Sequence, residues 1–330
     1  MSEPPTAAAG ASVATMVARA RSRLNRTQVF SAAQVIGLLV LAAVVLTTPG
    51  FVAAPSILSL LTTVSFIGCV AIGMTLITIS GNIMSFSLGA TVGVTAMVFI
   101  LAVNWLGFGA GLLAGLVFGS VITGLQGFAV GWLRANPIIV SIAALALIYG
   151  VTQAFAEKGT LYAASGIVPA ILKGKVAGMP IEFIAFLASA GLAQFILSFT
   201  RFGRNLLMVG ASLRAAEAVG VLTWRTVTGA YLWAGLFTSL AGIMLAIRYE
   251  SANMDYGVGY EYDAIAAVLV GGTAIGGGQG SAWRTLAGAM VIAAVQVMLL
   301  LKGLRQEWQY LVAGLVVLAV IILQSRGRGR

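Results

Sequence analysis

The chain has 330 residues, 60% hydrophobic and only 8% charged, where a soluble domain carries roughly 25% charged residues. Its mean hydropathy of +1.02 excludes a soluble globule, and the +10 net charge, which on a soluble chain would point to nucleic acid, sits in loops and tails, where it orients a membrane protein. With no His and one cysteine, Cys69, neither a disulfide framework nor a Cys- or His-based metal site is expected, and neither is a cofactor or a nucleic-acid partner.

Residues 1–28 are Ala-rich and carry Arg19, Arg21, Arg23 and Arg26 just ahead of the first apolar run. A basic stretch before an apolar one also opens a signal peptide. The spans that follow need this first helix as their orientation anchor, so residues 1–28 read as a cytoplasmic tail. From Thr27 to Leu133 there is no Asp, Glu, Lys or Arg for 107 residues. About 20 residues of helix cross the roughly 30 Å of hydrocarbon, so this run crosses several times. Only helices or a closed barrel satisfy the backbone in lipid. Barrel strands alternate polar with apolar residues, whereas Val35–Leu46 and Leu311–Leu323 are almost continuously apolar, so helices are expected.

Apolar windows bounded by Gly, Pro, Asn and charges mark about ten spans, at 30–49, 56–80, 84–103, 107–132, 137–156, 180–199, 226–249, 263–277, 284–301 and 308–324. The window at 263–277 is short and Gly-rich, which suits a broken or re-entrant helix. The expected fold is an all-α, polytopic transmembrane helical bundle, with a membrane domain over 29–325 and a basic cytoplasmic tail at 326–330.

Lys and Arg gather on cytoplasmic loops. With the N-terminus inside and ten alternating spans, 13 of the 19 basic residues fall inside, among them Arg134, Arg201, Arg204, Arg214 and Arg225. Of nine acids, only Glu3 and Glu217 do. Both termini are therefore placed in the cytoplasm; nine or eleven spans would put the Arg-rich C-terminal tail outside. Two polar connections are long. The external one, at about 157–180, has room for a small surface element. The internal one, at about 200–225, reads as a short helix Leu213–Ala218 between Gly210 and Ser212 on one side and Gly220 on the other.

From Gly107 a residue without a bulky side chain recurs every fourth position through Gly111, Gly115, Gly119, Thr123, Gly127 and Gly131. On a helix this draws one smooth ridge that admits a neighbouring backbone, and packing is the expected role. The stretch Gly271, Gly272, Gly276, Gly277, Gly278, Gly280 lacks the Gly-Lys-Ser/Thr of a phosphate loop. Any ATP-driven activity must come from a partner. Asp255, Glu261 and Asp263 cluster after an external loop beside Tyr256, Tyr260 and Tyr262, so they read as interfacially solvated, and the chain is not expected to be an enzyme. An ion-coupled carrier keeps ionisable groups at mid-membrane depth, and the long uncharged run has none. Uncharged polar groups do occur in or at the ends of spans: Asn82, Ser85, Ser87, Gln126, Asn136, Gln153, Gln194 and Gln296. Singly these are interhelical hydrogen bonds; together, with Phe86, Tyr149 or Trp233 as stacking faces, they suit a neutral, hydroxyl-rich solute.

Four separated blocks resemble the ribose-type permeases of ATP-binding-cassette importers, a family moving monosaccharides and related small polar solutes. Ser80–Ala90 (SGNIMSFSLGA) is similar to the block usually written GGIDLSVGA, and Asn136–Gly150 (NPIIVSIAALALIYG) to its Asn-Pro-led helix. Thr200–Val221 resembles the main cytoplasmic loop, and Gly259–Gly280 the C-terminal glycine-rich block. The blocks run in family order over about residues 56–303. Two departures stand out: Ser85 replaces the usual Asp and Phe86 the usual Leu, and the loop reads ASLRAAEA where an Asn commonly precedes the paired Ala residues.

The resemblance implies that Arg214, Ala215, Ala216, Glu217 and Gly220 form a coupling helix that docks on a cytoplasmic ATPase subunit. It also implies a second permease copy, an external solute-binding protein and residence in the bacterial inner membrane. The expected solute pathway involves Asn82, Ser85, Phe86, Ser87, Asn136, Tyr149 and Gln194, and the expected solute is a sugar. Permeases for branched-chain amino acids or nucleosides, and a stand-alone secondary transporter, are the alternative readings.

Overall fold

Helices account for most of the described residues, and a helix satisfies its own backbone hydrogen bonds in lipid. The computed structural model describes residues 49–318 apart from 83, 156–158, 165, 167, 170, 171, 173, 306, 313, 316 and 317. Seven helices among them are long and apolar enough to cross a membrane: α1 (Ala54–Ile79), α2 (Leu88–Leu106), α3 (Phe108–Trp132), α4 (Pro137–Phe155), α5 (Ile181–Phe199), α8 (Thr223–Tyr249) and α10 (Ala282–Leu301). Between α5 and α8 lie the shorter α6 (Arg201–Ala211) and α7 (Leu213–Ala218), and ahead of α10 lies the 11-residue α9 (Tyr260–Val270). The broken helix expected at 263–277 is α9 followed by glycine turns. The expected tail at 1–28, the span at 30–49 up to residue 48 and the tail at 326–330 lie outside the described residues, as does much of 308–324.

Prolines and glycines set the boundaries. Pro55 and Pro137 sit in the first turns of α1 and α4, where a missing N–H costs nothing. Gly107, at φ +84°, is the one residue between α2 and α3, a left-handed corner that a side chain would strain. The external connection holds two small antiparallel pairs. Strand β1 (Leu161–Tyr162) pairs with β4 (Ser251–Ala252), and β2 (Lys175–Val176) with β3 (Met179–Pro180). Ala177 and Gly178, both at positive φ, make the two-residue turn of the second. The first ties the 157–180 connection to the one between α8 and α9.

The core forms around α1, α2 and α8, with 83%, 72% and 72% of their most apolar windows buried. The small-residue ridge of α3 lies along α8. A Cβ on Gly131 would stand 2.9 Å from the Trp224 carbonyl oxygen, and one on Gly127 would strike Tyr231. Glycine is therefore what lets the two helices meet. Helix α4 is the reverse case, with 11% of its window buried, so most of its surface faces away from the chain. One end of the bundle carries Arg134, Arg201, Arg204, Arg214 and Arg225, and the other carries Glu182, Arg248, Asp255, Glu261 and Asp263.

Candidate functional site

At the arginine end, α6 and α7 form a hinged pair across the helix ends. The Thr200 hydroxyl accepts from the Gly203 amide at 3.1 Å, and the Ser212 hydroxyl accepts from the Ala215 amide at 3.3 Å, so each helix starts on a side-chain cap. Leu206 and Val209 of α6 are buried while Arg201 and Arg204 are exposed. This is an amphipathic helix lying against the bundle end. Sequence reading found α7 to the residue but missed α6; its signal was there in the Thr200 cap and the apolar spacing Phe202, Leu206, Val209. In α7 only Ala216 is buried; Arg214, Ala215 and Glu217 are exposed, and Gly220 turns the chain at φ +80°. Leu213, Val219 and Leu222 are exposed there too, an apolar patch set among arginines. Glu217 Oε1 accepts from Arg134 Nη2 at 2.7 Å, so the pair of helices is pinned to the α3–α4 turn.

Beneath this pair three backbones meet at glycines. The Gly278 amide donates to the Ile79 carbonyl at 2.9 Å, and a Cβ on Gly210 would collide with both groups. A Cβ on Gly81 would stand 3.3 Å from Gly210 Cα, and one on Gly278 2.7 Å from Ala211 Cα. The end of α6 thus rests directly on the α1–α2 connection and on the glycine stretch between α9 and α10. Arg284 closes that stretch, donating from Nε to Gly271 and from Nη2 to Gly272, each at 3.0 Å, which satisfies the open carbonyls at the end of α9.

From Gly81 the α1–α2 connection turns back into the bundle. The Ser85 amide reaches Met74 Sδ at 3.3 Å, the Ser85 and Ser87 hydroxyls are 3.0 Å apart, and Ser87 Oγ donates to Gln126 Oε1 at 2.7 Å. Both serines are buried. Helix α2 therefore starts inside the bundle, four residues later than the window at 84–103 marks, because Ser80–Ser87 spends its length on the re-entrant turn. Of the expected pathway residues, Asn82, Ser85, Phe86 and Ser87 come together here, with Asn82 lining a cavity of about 370 Å³ that also takes in Arg134 and Gly276.

The other three are apart from them. Asn136 Oδ1 accepts from the Ile138 amide at 2.9 Å and starts α4. Tyr149 lies toward the far end of α4. Gln194 Oε1 accepts from Ser281 Oγ and the Ala282 amide, each at 2.9 Å, and so caps α10.

A second, larger cavity of about 580 Å³ opens at the acidic end between α1, α9, α10 and the ends of α5 and α8. Glu182 and Arg248 form an ion pair across it at 3.0 Å, with Thr62, Tyr260, Asp263 and Gln296 in its walls. Asp263 is 3% exposed. Its reading as interfacially solvated is therefore wrong, because α1 and α10 close over the first turn of α9. Sequence reading missed this site since its members come from five helices.

A family model for the branched-chain amino acid transport system / permease component matches residues 56–321. The ribose import permease protein RbsC of Escherichia coli strain K12 is 31% identical over 310 residues, covering 88% of this chain and 92% of that protein. RbsC of Bacillus subtilis strain 168 is 30% identical, covering 88% and 91%. The galactose/methyl galactoside import permease protein MglC of Haemophilus influenzae is 29% identical over 65% of this chain and 66% of its own. No solved structure matches the chain. The re-entrant turn at Ser80–Ser87 and the glycine stretch beside it both fall within the matched region, and the chain belongs to the permease components of ATP-binding-cassette importers, on their ribose-type branch.

Proposed function

We propose that the chain is the membrane-spanning subunit of an importer that moves a monosaccharide or related small polar solute across the bacterial inner membrane, driven by a partner ATPase. The observation that carries this reading is the seating of α6 on glycine backbones of both the α1–α2 turn and the α9–α10 stretch. A push on the exposed face of α6 and α7 reaches two bundle connections at once. Arg214, Ala215, Ala216, Glu217 and Gly220 form the docking and coupling surface, where the exposed Leu213, Val219 and Leu222 offer apolar area to a cytoplasmic ATPase subunit. ATP is hydrolysed on that subunit, since this chain lacks a phosphate loop.

In the whole chain ten spans place both termini in the cytoplasm, and a periplasmic solute-binding protein delivers solute to the acidic end. Asn82, Ser85, Phe86 and Ser87 lie on the solute's way out at the arginine end. Asn136 caps the start of α4 and Tyr149 lies within it; among the described spanning helices α4 buries least of itself, and a second permease copy covers it. Gln194 acts through the start of α10. The solute class rests on the ribose and galactose permeases named above and on the amides and hydroxyls in the spans; a zwitterionic amino acid would call for charged or helix-end partners. The test is reconstitution of the co-purified complex: ATP-dependent uptake of D-ribose or D-galactose supports the reading, uptake of L-leucine instead replaces the substrate class, and uptake by this chain alone without an ATPase removes the importer assignment.

A further inference from the structure

We propose that the pocket between α6 and the start of α8 binds the headgroup of an anionic phospholipid, with Arg225 and Arg201 as its cationic partners. It lies beside the coupling surface and does not depend on which solute is moved.

Three arginines gather here without an acid. Arg201 and Arg204 stand in the first turn of α6 and Arg225 in the first turn of α8, and neither turn carries an acidic residue. All three are exposed. Glu217, the acid of α7, is bonded to Arg134 instead, and among the described residues no ion pair involves Arg201, Arg204 or Arg225. A cation in the first turn of a helix opposes the macrodipole, so both helix starts set positive charge on positive charge. An anion held between them relieves both.

The two helix starts meet at one pocket. Phe202 and Asn205 of α6, Arg225 and Thr226 of α8, and the chain from Gly220 to Leu222 line a cavity of about 450 Å³. Phe202 packs on α8 at Gly229, where a Cβ would stand 2.7 Å from its ring. Arg201 lies one turn ahead of Asn205 on the same face of α6. Positive charge is thus supplied from two helices, and Asn205 adds an amide donor.

Aromatic side chains set the depth. The Arg225 guanidinium carbon lies 5.2 Å from the centroid of the Trp224 ring, within cation–π reach. Trp224 meets Phe128 edge to face, Phe128 stacks on Trp132, and both Phe128 and Trp132 are exposed. Just ahead of Arg201, Phe195 and Phe199 stack on each other at the end of α5, both exposed. Exposed rings at the ends of spans belong at the level of the lipid headgroups, so Arg225 and Arg201 are held at that level. Basic pockets between spans there take anionic headgroups. An acidic protein surface docking on the arginines would have no use for lipid-facing rings.

The test uses the full chain, purified in a neutral detergent and titrated with phosphatidylglycerol or phosphatidylcholine of the same acyl chains, with bound lipid counted by native mass spectrometry. One phosphatidylglycerol should bind several-fold more tightly than phosphatidylcholine. R201Q/R225Q should raise its half-saturating concentration about tenfold, whereas R214Q, which removes an arginine of α7 outside the pocket, should leave it nearly unchanged. R225K keeps the charge without the planar fork and should fall between the wild type and the double variant. Equal affinity for the two lipids, a loss in R214Q as large as that in R201Q/R225Q, or displacement of the lipid by inorganic phosphate overturns the site. Lipid binding that survives in R201Q/R225Q while recovery of the ATPase subunit falls overturns it too, and gives the arginines to the docked subunit.

Discussion

Arg134 and Glu217 are 83 residues apart, yet their side chains meet at 2.7 Å and join the α3–α4 turn to the last turn of α7. Both are well exposed, at 68% and 36%, so the pair adds only about 0–1 kcal/mol to stability. Its effect should appear in transport. E217R should leave membrane insertion and thermal stability near wild type while lowering ATP-driven uptake several-fold, and R134E/E217R should recover part of the loss. Unchanged uptake in E217R would argue against α7 as the coupling element.

Gly210 lies in the last turn of α6 and Gly220 just past α7, and a methyl group should cost more at the first than at the second. At Gly210 the Cβ collides with the Ile79 carbonyl and the Gly278 amide, backbone atoms that no rotamer change can move, so G210A should cost about 1–3 kcal/mol or more. At Gly220 nothing lies within 4 Å of the Cβ, and G220A meets only the left-handed φ, about 1–2 kcal/mol. Thermal unfolding in detergent should rank wild type above G220A above G210A.

A large side chain at Gly220 tests docking rather than folding. Since the position faces open space, G220W should reach the membrane in amounts similar to G220A. It should nevertheless retain roughly tenfold less ATPase subunit on affinity purification, because the indole stands between α7 and whatever covers Val219 and Leu222. Equal recovery of the ATPase from both variants would place the docking surface elsewhere.

The Glu182–Arg248 pair joins the start of α5 to the end of α8, with Glu182 buried and Arg248 40% exposed. Removing one partner leaves the other's charge without its counterpart, at about 1–3 kcal/mol once the exposure of Arg248 is allowed for. E182Q and R248Q should each lower the Tm, and the double variant should lie above the sum of the two losses. Additive losses would show that the pair is not coupled.

Local chemistry was legible wherever it acts over a few residues. The Ser212 cap and Gly220 bracket α7, and the shortness of the 263–277 window told of a broken helix. The start of α2 was not legible, because the turn before Leu88 depends on Met74, 11 residues from Ser85, and on Gln126, 39 residues from Ser87. Asp263 was misread for the same kind of reason. Its sequence neighbours are Tyr260 and Tyr262, but it shares a cavity wall with Thr62 and Gln296, which are far away along the chain.

Membrane residence, helical class and the charge asymmetry of the two ends came from the sequence by itself, since the bilayer imposes the same demands on every span. Which spans form the centre did not. Helices α2 and α4 have the same mean hydropathy, 1.8, yet 72% of one window is buried and 11% of the other. Lipid is as apolar as a protein core, so a span carries no polar face to declare which side looks outward. Burial was decided instead by contact: by glycines that admit α8 to α3, and by α1, α9 and α10 closing around one acid.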